Sequence, residues 1–476
     1  MSLSSALSSA LVGLRVSSAR ADVVAQNVAN AGRDGYGVRR LHVDPISPNS
    51  PGLQTTVRRV EDAVGVAMRR EALGGAGRDA DAADMWARLE GVLGVPGEAG
   101  SLAGRLAAFE ASLVEATARP GSPAALGAVA DAAQAVADTI VAASDGVQDA
   151  RQGAEDAIVA EVERLNVDLE AIADLNLQIQ RQSARGGRTA ALEDERSLAI
   201  DRVAVSVRVE VLEREFGAVA LVSRDGRILL DGAPAQVAFE PAVEVTPDRS
   251  VGAGLDVLHV DGRPVSVSGG IGGLGGGRLA GLFALRDEAA PRAQAALDAL
   301  AAEFADRFTG PDADPTLAVG EPGLFVVGGT AGAGMASRLA LNPLVAEDGA
   351  AEHWRLRDGM GAAAADPASP AGNLDRHLAV LSARAVPLDP RLGGTPRDLG
   401  ALALDLTSEV SATRGHLADR SETARAGLDA AEDRLAGGGV DIDDEMRRLL
   451  QIEQNYAAAA RVSEVVGEMM DRLTRT

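Results

Sequence analysis

The feature that most limits the folds open to this chain is a helical period that starts at Ser122-Pro123 and holds to Ala184, where Arg185-Gly-Gly187 ends it. Serine is a favoured helix cap and proline suits the first helical position, so the start is well marked. At 1.5 Å per residue such a helix is roughly 90 Å long. No single helix can bury its own apolar stripe, so one of this length requires neighbours along its whole course. Gly146 and Gly153 are its candidate bend or break points. Other helical stretches read at about 79–93, 101–118, 189–203, 278–308 and from Leu399 to Leu435, the last with coiled-coil-like spacing. Residues 39–78, with prolines at 45, 48 and 51, read as a loop or short hairpin.

Both ends of the chain are amphipathic helices. At the N-terminus Leu7, Leu11, Leu14, Ala21, Val24 and Val28 form one stripe, which ends near Asn30-Ala-Gly32. At the C-terminus Leu449, Ile452, Tyr456, Ala459, Val466, Met470 and Leu473 form another, and Asp441, Asp443, Asp444 and Glu445 crowd the start of that helix, where its dipole favours acids. Between them the period changes to two at Val205, Val207, Val209 and Val211. Ala218–Val222 and Arg227–Leu230 flank the turn Arg224-Asp-Gly226, and Val257–Val260 and Val265–Ser268 flank Asp261-Gly262. Residues 206–270 therefore read as a small antiparallel β unit. The stretch 311–398 is rich in Pro, Gly and Ala and offers only short strands.

The fold class this implies is mainly α with β insertions (α+β). The terminal helices are expected to pack together, a long helical shaft follows, and small antiparallel β units are inserted between. The expected domains are 1–40 with 440–476 as a terminal assembly domain, and 41–205 with 278–310 and 399–439 as the shaft. Residues 206–277 are expected to form a β outer domain and 311–398 a second outer or irregular insertion.

Aromatic residues make up only 2% of the chain, so the cores must be built from Ala, Leu and Val, which suits closely packed helices. There is no lysine, so neither a phosphate-loop lysine nor a Schiff-base lysine exists. There is no cysteine, which excludes thiolate catalysis and disulfides. A net charge of −23 argues against nucleic acid as a partner. No run of about 18 apolar residues is present, so no membrane span is expected, and no secretory signal is visible.

Gly270-Ile-Gly-Gly-Leu-Gly275 matches a dinucleotide fingerprint, yet no βαβ alternation or following acid supports that reading, and a flexible link explains it better. His42, His259, His353, His377 and His416 lack metal-ligand spacing, and no nucleophile elbow occurs. No cofactor, metal or catalytic residue is expected. Tyr36 and Tyr456, the only two tyrosines, fall one in each terminal motif and read as packing anchors, within a monomer or between subunits.

Leu11-Val-Gly-Leu-Arg15, Ala25-Gln-Asn-Val-Ala-Asn30 and Gly35-Tyr36 resemble the shared N-terminus of bacterial flagellar rod, hook and hook-associated proteins. Glu453-Gln-Asn-Tyr-Ala-Ala-Ala-Ala-Arg-Val462 resembles their shared C-terminus. Gly186 to Arg202, followed directly by Val-rich strands, and Gly277 to Glu288 look like the hook–filament junction family, FlgK. The resemblance implies a structural protein without enzymatic activity, outside the cell in the flagellum and exported by the flagellar type III route. It implies a coiled-coil-like layer of terminal helices with the β units outside. It also implies a homo-oligomeric ring between the hook protein and a second hook–filament junction protein, with an export chaperone of the FlgN kind. Another axial protein, a hook or rod subunit, is the alternative. The expected assembly interface comprises Leu7, Leu11, Leu14, Val24, Asn27, Val28, Asn30 and Tyr36, with Leu449, Ile452, Tyr456, Val466, Met470 and Leu473.

Overall fold

The structure, a computed structural model, describes residues 3–33, 35–45, 53–330, 332–346 and 352–474; Asp34, Pro48, Pro51 and the side chain of Leu473 lie outside the described residues. Helix α1 (Leu3–Ala29) leads into an antiparallel hairpin of β1 (Val38–Pro45) and β2 (Leu53–Val60), with Leu41 opposite Val57. Then come α2 (Ala63–Leu93), α3 (Leu102–Ala118), α4 (Pro123–Ala184) and α5 (Ala190–Ser206). Strands β3 (Val209–Glu213), β4 (Val219–Ser223) and β5 (Ile228–Asp231) form consecutive antiparallel neighbours. Helix α6 (Gly277–Ala284), a π-turn and α7 (Ala290–Arg307) follow, where the sequence reads one continuous helix. Short α8 (Arg355–Asp358) and α9 (Gly372–Ser382) precede two long helices, α10 (Leu399–Gly437) and α11 (Ile442–Thr474).

Helix α4 is the spine. Ser122 caps it by accepting from the Ala125 amide at 3.3 Å. Gly146 and Gly153 neither break nor end it, because a solvent-facing glycine loses only some propensity and forces no turn. Ala133, Ile140, Val147, Ile158, Leu165, Leu169 and Ile172 are fully buried along one side at three-, four- and seven-residue steps or their sums. By length and composition α4 is apolar enough to cross a membrane, although polar and charged residues interrupt its apolar runs. Half of its most apolar window is buried against neighbouring elements, so the same apolarity serves the core.

Helix α2 corrects the sequence reading. It begins at Ala63, not 79, with Asp62 accepting from the Val64 and Gly65 amides at 3.1 Å. Gly74, Gly75 and Gly77 hid the helix. Two of them are where α2 presses on other backbone: a Cβ on Gly74 would lie 3.0 Å from the Ala204 carbonyl, and one on Gly77 3.1 Å from that of Val205. A second correction is at Val205 and Val207, read as strand. Helix α5 runs through Ser206 and the strand starts at Val209. Helix α10 lies along α2, tied at its edge by Arg414–Glu90 (2.5 Å), Arg420–Asp79 (2.8 Å) and Arg434–Asp62 (2.5 Å). These partners run in opposite directions along the two helices, so the pair is antiparallel.

The β segment docks on α4 through two asparagines. The Asn176 side chain donates to the Val219 carbonyl (2.8 Å) and accepts from its amide (3.1 Å); Asn166 does the same at Val237 (2.8 and 3.0 Å). Each amide imitates a strand edge and satisfies backbone groups that burial would otherwise leave unpaired. Arg286, fully buried, pairs with Glu155 at 2.6 Å and stacks on Phe283. Residues 206–277 thus share one continuous core with the helical shaft. Within 311–398, Phe325 packs edge-on to Phe109, Phe304 and Phe308 at ring separations of 6.0, 5.3 and 5.1 Å, so the few aromatic side chains of the chain anchor its least regular part.

Candidate assembly interface

Helices α1 and α11 pack on each other. Gly13 faces Ala459, whose Cβ lies 3.7 Å from where a Gly13 Cβ would be, and Val24 borders the same groove as Ile452, so the helices run antiparallel. On α1 the described buried residues are Ala10, Ser17, Val23, Val24 and Asn27. Ala10, Ser17 and Val24 are seven apart, which makes a narrow seam of mostly small side chains. Leu7, Leu14, Val28 and Asn30 are half-buried and Leu11 is exposed, so the leucine stripe flanks the seam rather than forming it. On α11 the described buried residues are Glu445 and Val466 alone. Leu449 and Ile452 are half-buried; Tyr456 is 48% exposed, and Leu450, Val462, Val465, Met469 and Met470 are also open. Burying one such side chain stabilises by about 1.5–3 kcal/mol, so the pair retains much unused apolar surface.

The pair is joined to the shaft at one polar lock. Asn27, almost fully buried, donates to the Arg39 carbonyl (3.0 Å) and accepts from the Arg39 amide (3.0 Å) and the Tyr36 hydroxyl (2.9 Å). The Arg39 guanidinium lies over the Tyr36 ring at 4.8 Å and pairs with Asp194 at 3.2 Å. Asp194, on α5, also accepts from Arg59 (2.8 Å) and from the Gly37 amide (3.0 Å). Gly35, with φ of 73°, admits no side chain, because a Cβ there would stand 2.6 Å from Leu198. Burial raises the Tyr36 pKa; the Arg39 charge opposes this, and Asp194 and Glu445 add to it. Tyr36 is therefore a neutral hydrogen-bond donor at ordinary pH.

Three stretches far apart in sequence, around Asn27–Gly37, Asp194–Leu198 and Glu445, converge here. The sequence marks each of them as a motif. It does not mark Asp194, Arg39, Arg59 or Glu445 as partners, because ion-pair geometry across more than 130 residues leaves no local periodicity. Tyr36 serves this internal lock, whereas Tyr456 faces outward.

Chemistry-bearing features elsewhere have structural roles. The Gly270–Gly275 loop is held by its own chain: Asp225 accepts from the Gly275 amide at 2.8 Å and Arg227 donates to the Gly272 carbonyl at 2.9 Å. The Gly275 amide, a donor that a phosphate would need, is already taken by that carboxylate. His377 is fully buried against Phe308, near Asn373. Among the described residues no group of three or more His, Asp or Glu side chains is arranged to hold a metal ion.

Residues 86–316 match the family described as the flagellar hook-associated protein FlgK helical domain, and residues 432–476 match the flagellar basal body rod FlgEFG protein C-terminal family. No curated protein matches the chain. Among solved structures, the flagellar hook junction protein FlgK from Burkholderia pseudomallei is similar at 24% identity, with a TM-score of 0.45, over 55% of this chain and 47% of that one. The chain thus spans about half the length of that relative. With the helical-domain match running from the last two turns of α2 through α4 and α5 to just beyond α7, and the second match covering α11, the chain carries a helical domain of the FlgK hook-associated type and a C-terminal segment of the flagellar rod type.

Proposed function

We propose that the chain is a structural subunit joining hook to filament and polymerising through its terminal helices. The family is one of structural flagellar proteins rather than enzymes. The observation that carries the reading is the asymmetry of burial. Helix α4 is buried along its length, whereas α11 buries only Glu445 and Val466 among its described residues. A helix whose own fold covers so little of its apolar stripe gains its stability from neighbours. The expected interface residues on α1 and α11 then act in two groups. Val24, Asn27, Tyr36 and Val466 hold the pair together and to the shaft, and Leu11, Tyr456 and Met470 meet other subunits.

In this reading copies form a ring, with hook protein on one side and the second junction protein on the other. The subunit passes unfolded through the flagellar type III export channel to a site outside the cell, after a FlgN-type chaperone has held its C-terminal helix. The C-terminal match to rod proteins favours, as a second reading, a hook or rod subunit. The helical-domain match over 86–316 supports the junction instead.

Deletion of the gene separates these readings. Electron microscopy should show finished hooks without filaments, with filament protein released to the medium. Cells lacking hooks would assign the chain to the rod or hook, and normal filaments would overturn the proposal.

A further inference from the structure

A groove of about 280 Å³ lies between α1, β1 and α11. Its floor is apolar, formed by Val23, Val24, Leu41 and Ile452. Its rim carries Arg20 and Arg40, both exposed, and among the described residues neither has an ion-pair partner. Arg40 also stands directly opposite Arg58 across the hairpin. Like charges in that position destabilise a sheet unless something neutralises them. The neighbouring cross-strand pair, Arg39 and Arg59, has Asp194 between its guanidinium groups; among the described residues Arg40 and Arg58 have no acid. In a chain with 69 acidic and 46 basic residues, unpaired arginines beside an apolar groove call for an anionic occupant with an apolar tip.

The start of α11 has that chemistry. Ile442 and Met446 are exposed, one turn apart on the same helical face, and Asp441 and Asp443 flank Ile442 in the open. A copy cannot fill its own groove with this segment, because the same helix supplies the groove wall at Glu445, Arg448 and Ile452. We propose that the groove receives the first turn of α11 from a second copy of this chain, with Ile442 and Met446 entering and Asp443 meeting Arg40. The contact is heterologous: each copy offers one groove and one knob, so it propagates into a ring or helical array. This rests on the reading of the terminal pair as an assembly surface, and gives that surface a direction.

The test is incorporation of the full-length chain into flagella of cells lacking the gene, scored by immunolabelling. Arg40→Glu alone and Asp443→Arg alone should each lower incorporation by about tenfold or more, since juxtaposed like charges are strongly unfavourable at a docking surface. The Arg40→Glu/Asp443→Arg double variant, and co-expression of the two single variants, should restore it, because each reversed groove then meets a reversed knob. Thermal melts confirm that each variant folds. If both single variants incorporate normally while Val466→Asp does not, the groove contact is wrong and the assembly reading stands. If the single variants fail and neither combination rescues them, another acidic partner fills the groove and the proposal is overturned. If Val466→Asp also incorporates normally, the assembly reading itself fails.

Discussion

Asn27 engages three polar groups with one side chain, and no other residue type of that size both donates and accepts at an amide. Asn27→Ala leaves the Arg39 amide, the Arg39 carbonyl and the Tyr36 hydroxyl without their partners, at a cost of about 2 kcal/mol or more. The expected result is faster amide exchange through α1 and β1 with α4 unchanged; equal exchange in variant and parent would contradict the lock. His377 shows the opposite design, a polar ring kept neutral by apolar surroundings. Burial lowers its pKa from 6.5 to about 4. Below pH 6.5 the unfolded chain takes up a proton that the folded chain refuses, so the His377 contribution to stability falls as pH drops from about 6.5 to 4 and changes no further below that. At ~1.4 kcal/mol per pH unit the loss is on the order of 3 kcal/mol. Denaturant unfolding of the parent and His377→Leu at pH 7 and pH 4 should show the parent losing more stability with acid. A pH-independent difference between the two would refute this.

At the scale of elements, α4 carries two glycines that the fold does not use. Gly146 and Gly153 are solvent-facing, and a Cβ on either meets open space. Gly146→Ala and Gly153→Ala should each stabilise by about 1 kcal/mol, read from the denaturant midpoint. A loss of stability would mean that α4 needs those positions bare. The bounds of α4 were legible because a cap, a proline and a glycine pair mark them locally. The first sixteen residues of α2 were not, because Gly65, Gly74, Gly75 and Gly77 lower helix propensity. Gly74 and Gly77 at least have reasons that lie in other elements: the Ala204 and Val205 carbonyls on which α2 rests. The end of α5 was misread for a related reason. Val205 and Val207 alternate as a strand does, but the packing of α5 on α4 and α2 carries the helix through Ser206. The terminal stripes were visible as stripes. Which of their residues close the α1–α11 seam was not, since the seam runs through Ala10, Gly13 and Ser17, small residues with little hydropathy signal.

For the whole molecule, burial divides the chain into a finished part and an unfinished one. The shaft and the β segment share one core that runs through α4. The terminal pair has a narrow seam, one polar lock and an open apolar surface along α11. A helix pair of that kind opens at low free energy when alone, while the core opens only with global unfolding. Under the proposed function, association supplies the missing burial, which ties folding of the ends to assembly and keeps free subunits from polymerising prematurely. Hydrogen exchange on the full-length chain tests this most directly, comparing free monomer with assembled flagella. The account predicts rapid exchange through α1 and α11 in the monomer, protection of both after assembly, and slow exchange in α4 throughout. Terminal helices as protected as α4 in the free monomer would contradict it.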